Sequence, residues 1–325
     1  MSSLTSLVVG GVPIFSGGSP VNLPVRSPQI GGLVIYVGAT ASQIVGDGVA
    51  YCNTLFGTTG ALAKLQGRTN RGDIIYLLPG YSESITGADF GVDTGAASGF
   101  SVIGLGTGTD RPTLNWTAAA STWLLDTSGV EIANCILNFA VTAATIVVTP
   151  ITVSAANCRL IGNYINWGAS TTIGCGSTLG AIAVTTAADY FEFSYNYCNN
   201  LDTAGTNAIT LLSLNGADFF KMIGNKVFGS TTATTVGPVH FLTTLSSDVE
   251  IAWNYIENLI GSSTIALSSA ISGVTGVVNY NTFRVNSGIQ PVTVSANMSV
   301  TLSQNFCNNT VNKQAAAVLG AGTSA

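Results

Sequence analysis

From residue 131 onward the chain carries eight carboxylates: Glu131, Asp189, Glu192, Asp202, Asp218, Asp248, Glu250 and Glu257. Two of them facing each other across about 5 to 10 Å would suit glycoside hydrolysis, and several gathered at one spot would suit calcium. Their settings point elsewhere. Asp189, Asp218 and Asp248 stand seven, seven and six residues before Asn196, Asn225 and Asn254. A turn between strands is expected there, so they read as side chains that bond nearby backbone. Glu131, Glu192 and Glu250 alternate along the chain with Arg159 and Lys221. Asp202 and Glu257 stand alone. Neither an acid pair nor a calcium cluster emerges, and no catalytic residue is assigned.

The other chemistry-bearing residues are equally sparse. The single imidazole, His240 in "PVHFL", has no Ser or Cys partner readable from the sequence and is expected to be structural or at the surface. "RGD" at Arg71 to Asp73 leads straight into the apolar run "IIYLL" and reads as a polar turn. "DTGAASG" from Asp93 lacks a following helix or lysine, so it is no phosphate cradle. Tyr195, Trp253 and Tyr280 each precede a recurring Asn. An aromatic stripe of this kind could stack sugars or form a subunit interface, and the hydrophobic composition favours packing or an interface.

The elements that must carry these residues repeat. "CRLIGNYINWGA", "FEFSYNYCNN", "FFKMIGNKVFGS", "VEIAWNYIENLIGS", "GVVNYNTFRVNSG" and "VTLSQNFCNNT" are versions of one phrase. Aligned on Asn134, Asn163, Asn196, Asn225, Asn254, Asn281 and Asn305, they recur at intervals of 29, 33, 29, 29, 27 and 24 residues. Periods in this range mark a solenoid whose coils bury one another. Gly106 and Gly80 extend the series upstream. Within the phrase the alternation has period two, so it is a strand. Its core columns lie five and three residues before the Asn (Phe191, Phe193) and two after it (Cys198). A second apolar strand precedes each phrase, as in "ITVSAAN" and "PVTVSAN". Two or three short strands per coil, stacked in parallel, predict an all-β parallel β-helix.

Four residues before the Asn lies an outward column holding Arg159, Glu192, Lys221 and Glu250, which Glu131 leads if one residue is deleted. Coils stack about 4.8 Å apart, so each charge lies between opposite ones and helps fix register. The Asn column is expected to make the turn of each coil, since Asn tolerates left-handed backbone and its amide can bond the next Asn. "VAYCNTLFGTTGALAKLQG" has apolar residues at nearly helical spacing and predicts a short helix near residues 50–66, interrupted near Gly57 and Gly60, capping the N-terminal end of the core. Residues 1–35 read as an extended arm for attachment or oligomerisation, residues 36–312 as the β-helix, and residues 313–325 as a flexible tail.

Composition narrows the partners. Only 8% of the 325 residues are charged and 46% are hydrophobic, which fits a β-rich solenoid with a small, neutral surface. A net charge of −5 without a basic cluster argues against nucleic acid. No run of eighteen apolar residues predicts a membrane span, and the N-terminus lacks the basic start of a secretory signal. Six cysteines without a CxxC pair are expected to be reduced and mostly buried, and zinc has no ligand set. No cofactor is expected.

"GDIIYLLPGYSESIT", "VIGLGTGTDRPTLNW" and the Asn-bearing coils resemble phage-encoded pectate-lyase-like β-helix proteins over roughly residues 36 to 310. The resemblance implies a right-handed, single-stranded β-helix, commonly trimeric, that serves as capsid decoration, tailspike shaft or polysaccharide-cleaving enzyme. The expectation is a non-enzymatic virion structural protein: a homotrimer on the capsid exterior, assembled in the host cytoplasm and held to the major capsid protein by its arm. The alternative is a tailspike-like receptor-binding protein or depolymerase acting on a surface glycan.

Overall fold

The structure, a computed structural model, describes residues 8–9, 12–13, 32–38, 49–86, 97–139, 149–168, 180–200, 210–229, 237–259, 266–271, 273–285, 292–293 and 299–309. Nearly all of the regular structure is β. The coils stack into three parallel sheets of eleven, nine and seven strands. From Trp123 onward the chain runs in each coil through the third sheet, then the first, then the second, as in Trp123–Leu125, Glu131–Ala133 and Ile136–Asn138. The sequence repeat is thus one circuit of a parallel β-helix.

Alternation along each short strand decides which side chains turn inward. Ile132 pairs in register with Leu160, which pairs with Phe193 and then Met222 and Ile251. All five are buried. The columns of Phe191 and Cys198 are buried too, so the three expected core columns do point inward. At the C-terminal end, Leu302 and Cys307 are only half-buried.

The N-terminal end differs from the expected helical cap. Strand Val34–Val37 is flanked in parallel by Ile74–Leu77 on one side and Val49–Cys52 on the other. Residues 49–52 are therefore the outermost strand of the first sheet, and the helical part shrinks to one 3-10 turn, Leu62–Leu65. The reason lies in the backbone between them. Gly57 is left-handed at φ 87°, and a Cβ on Gly60 would lie 2.2 Å from the Phe56 carbonyl oxygen. The chain folds back there, too tightly for a continuous helix. The apolar residues still seal the core: Leu55, Phe56, Leu62 and Leu65 are buried, and Phe56 meets Trp123 edge-on at 5.0 Å. The Glu83 carboxylate holds this plug by accepting the Leu55 and Phe56 N–H groups at 3.0 and 3.3 Å.

Of the expected arm, Val8–Val9 pairs antiparallel with Val12–Pro13, and residues 34 and 35 already belong to the first sheet. The expected tail, 313–325, lies outside the described residues. Among the described residues no helix is long and apolar enough to cross a membrane.

Candidate functional site

The corner between the first and second sheets is where the recurring phrase turns, and two neighbouring columns divide the work. The outward column is left-handed: Asn134, Gly162, Tyr195, Gly224, Trp253, Tyr280 and Gln304 all have φ between 51° and 68°. Each precedes a residue whose side chain enters the corner. The expectation that the recurring Asn itself adopts the left-handed turn is therefore overturned for all but Asn134. Its role is hydrogen bonding.

That role is a continuous ladder. The Asn196 Oδ1 accepts the Asn163 N–H at 2.9 Å, and the Asn196 Nδ2 donates to the Leu160 carbonyl at 2.9 Å. The Asn225 Oδ1 then accepts the Asn196 N–H at 2.8 Å, and the pattern continues through Asn254, Asn281 and Asn305. All six of these asparagines are buried. Each coil's corner backbone would otherwise leave buried polar groups unpaired, and the side chain of the following coil satisfies them.

Asn134 does not belong to this ladder. Strand pairings Ala133↔Ile161 and Ile136↔Tyr164 place Asn134 opposite Gly162 and Cys135 opposite Asn163. The Cys135 N–H donates to Asn163 Oδ1 at 3.0 Å, so a buried thiol occupies the ladder position in that coil. Asn134 instead donates to the Gly104 and Gly106 carbonyls at 2.8 and 3.1 Å. Matching Asn to Asn put this coil one residue out of step. With the step corrected, Glu131 faces Arg159 without any deletion.

On the outer face of the first sheet, Glu131, Arg159, Glu192, Lys221 and Glu250 follow one another in register. Arg159 bonds both neighbours, with Nη1 on Glu131 at 2.9 Å and Nε on Glu192 at 2.8 Å. Lys221 reaches Glu250 at 3.6 Å. The ladder is graded, because Glu131 is 1% exposed whereas the Lys221 side chain is 54% exposed. The carboxylates here are bound to cations rather than to one another.

Of the other acids, Asp189, Asp218 and Glu257 have carboxylates bound within the coil. Asp189 Oδ1 accepts the Asp218 N–H at 3.0 Å, and Asp218 Oδ1 accepts the Ser247 N–H at 2.7 Å, one coil further on each time. Asp248 lies in a left-handed position, and its N–H donates to Thr275 Oγ1. Glu257 is not solitary: it accepts from the Tyr255 hydroxyl at 2.6 Å and from Arg284, its register partner, at 2.9 Å. Asp202 and residues 93–96 of the Gly-rich stretch lie outside the described residues, while Ala97 and Ser98 at its end are buried. Asp73 of the "RGD" triplet is buried, accepting from Arg68 and from the Leu33 N–H, so the triplet is a packed turn.

His240 has a partner that the sequence concealed. Its Nδ1 lies 2.8 Å from Ser268 Oγ, the residue beside it in the next coil, and the Ser268 hydroxyl accepts the Gly237 N–H. Both side chains are buried, and burial holds the imidazole below its ordinary pKa. A Ser–His pair closed off from solvent and bonded to backbone is a structural pair. The signal available in the sequence was only that the two residues lie 28 apart, one coil's length.

Burial also keeps the core thiols protonated, pushing Cys135 up to about 12 and Cys158 to about 11. Cys52, Cys135, Cys158, Cys198 and Cys307 are free of disulfides. Among the described residues, no three His, Cys, Asp or Glu side chains cluster as metal ligands.

The feature with an unengaged surface is aromatic. In the left-handed corner column, Tyr195 is 66% exposed, Trp253 63% and Tyr280 38%. Trp253 and Tyr280 stack 4.3 Å apart at 3°, and the Tyr195 ring lies over Gly224, where a Cβ would come within 2.8 Å of it. At the opposite margin of the same sheet, Tyr190 and Phe219 form a second left-handed pair, stacked at 4.6 Å and 4°. Stacking along the coil axis covers one face of Trp253 and one of Tyr280, and the Tyr195 ring lies against glycine in the next coil.

The geometry defines a parallel β-helix, consistent with the pectate-lyase-like type. Comparison with known proteins adds no closer likeness: no family model, curated protein or solved structure matches the chain.

Proposed function

We propose that this chain is a non-enzymatic structural protein, a homotrimeric β-helix that decorates a phage capsid and is held to the major capsid protein by its N-terminal arm. One observation carries the non-enzymatic part. The groups best able to do chemistry hold the coil together, with Glu131 and Glu192 bound to Arg159, Glu257 to Arg284, and His240 to Ser268. An active acid or base needs a side chain free to meet substrate, and these are committed to backbone and to one another. The exposed aromatic margins support self-association, since single chains rarely leave large apolar patches bare. The viral setting rests on the sequence resemblance alone. The arm expected of the N-terminal residues would suit strand addition to another protein's sheet.

Quantitative mass spectrometry of purified particles tests the reading. A copy number comparable to the major capsid protein is expected. A handful of copies per particle, or cleavage of a host polysaccharide by the purified protein, would overturn it. Deleting residues 2–30 should abolish attachment and leave the coil folded.

A further inference from the structure

The left-handed corner column poses a question that the fold does not answer. Gly162, Gly224 and Asn134 show that small residues make this turn, yet Tyr195, Trp253 and Tyr280 make it with bulky side chains in a conformation that L-residues resist. Burial does not explain the choice, because Tyr195 and Trp253 are about two-thirds exposed. A strained position occupied by a large, bare side chain points to what that side chain presents outward.

The column is also uncharged throughout. So is the column beside it on the first sheet, running from Ala133 through Ile161, Ser194, Ile223 and Ala252 to Asn279. On the second sheet the nearest outward column carries Tyr164, Tyr197 and Tyr255, with Lys226 as its one charge. The ionic ladder, in contrast, lies three residues before the corner column, two strand positions beyond the neutral column beside it.

Symmetry gives this neutrality a meaning. When copies pack side by side around an axis parallel to their coils, each residue near the axis meets its own copy. A charge there would meet the same charge, so the ionic ladder cannot line such an axis, whereas Tyr, Trp, Gly and Gln can. We infer that parallel copies of this chain associate along the corner of Tyr195, Trp253 and Tyr280, with that edge at the symmetry axis. The inference rests on the homotrimer reading and names its interface. The second aromatic margin, Tyr190 and Phe219, adjoins Asp189, Asp218 and Asp248 and is left away from the axis.

The tryptophans supply a direct readout. Trp116, Trp123 and Trp167 are buried within the coil, so Trp253 alone is open to an added quencher in a single copy. Sedimentation velocity of the full chain should give an oligomer whose fluorescence acrylamide quenches weakly, with quenching rising as dilution yields monomer. Trp253→Lys should produce monomer with the circular dichroism of the native coil, and Phe219→Lys should leave the oligomer intact. In a Cys307→Ser background, Gln304→Cys, at the far end of the same column, should cross-link between copies under oxidation if they run parallel.

Wild-type chain that is monomeric at every concentration would overturn the homotrimer reading itself. An oligomer that survives Trp253→Lys, or in which Trp253 stays fully quenchable, would overturn the corner and leave the homotrimer standing. Failure of Gln304→Cys to cross-link an intact oligomer would overturn the parallel arrangement.

Discussion

Two columns that are neighbours in sequence behave in opposite ways. The buried column reads Asn163, Asn196, Asn225, Asn254, Asn281 and Asn305, one residue type in six successive coils. The left-handed column one residue earlier reads Gly, Tyr, Gly, Trp, Tyr and Gln over the same coils. Both make the same corner. The first is constrained from inside, because each amide must satisfy fixed backbone groups of the coil before it. The second is constrained only in its backbone, so its side chain is left to serve the outside. Uniformity marks the scaffold, and variety at a strained position marks the surface put to use.

The sharpest break of this comparison is Asn225→Leu. Its amide accepts from the N–H and Nδ2 of Asn196 and donates to the Phe193 carbonyl and to Asn254 Oδ1, at 2.7 to 3.1 Å. Leucine matches its size but leaves buried partners unpaired, at about 1–3 kcal/mol each, so a loss of roughly 4 kcal/mol is expected in urea denaturation. A loss below about 1 kcal/mol would show that the ladder accompanies the fold without holding it.

Much of this ladder was legible from the sequence, because a buried amide that must match the next coil forces one residue type at a fixed interval. The exception is instructive. Asn134 looked like the first rung because it is an Asn at the right distance, but backbone conformation places it in the outer column, with Cys135 inside. Letters alone do not report φ. For the same reason the left-handed aromatics were invisible as such, since Tyr and Trp are poor predictors of that conformation. The N-terminal plug was legible as apolar residues with a break near Gly57 and Gly60, but not as a strand at Val49–Cys52, because its pairing with Val34–Val37 is set by register rather than by spacing. The partner of His240 was hidden because register, not sequence proximity, brings Ser268 to it.

The charge ladder gives the next test, with a gradient inside it. Arg159→Gln leaves Glu131 in the interior without its guanidinium, and a loss of about 2–3 kcal/mol is expected, little changed by salt. At the exposed end, Lys221→Glu should destabilise more than Lys221→Gln, by no more than about 1 kcal/mol and less in high salt. Equal melting temperatures for the two Lys221 variants would remove the ladder's role in register.

His240 separates two outward columns: the corner column, which is bare, and its own on the third sheet, where Ser213, His240 and Ser268 are buried. Its folded pKa lies below the ordinary 6.5 because burial disfavours the cation. The unfolded chain takes up a proton as pH falls past about 6.5 and the folded chain resists. Stability is therefore full above that pH and declines as pH falls toward the lower folded value. His240→Gln should flatten this decline between roughly pH 7 and 5, where no other side chain ordinarily titrates. Stability that rises on acidification would mean the imidazole is charged in the native coil.

The smallest effect on the coil is expected from Tyr195→Gly. Glycine relieves a left-handed conformation that costs an L-residue about 1–2 kcal/mol, and the lost contact of the ring with Gly224 offsets a similar amount. The two changes nearly cancel, so the denaturation midpoint should move by less than the equivalent of about 0.5 kcal/mol, as Gly162 and Gly224 already show the turn tolerates. Association should weaken all the same, because the exposed ring is gone. A coil that loses several kcal/mol would show that the ring serves the scaffold, and the contrast between the two columns would collapse. A coil unchanged in both stability and association would show that the ring serves neither, and the strain at residue 195 would then lack the outward role that the corner requires of it.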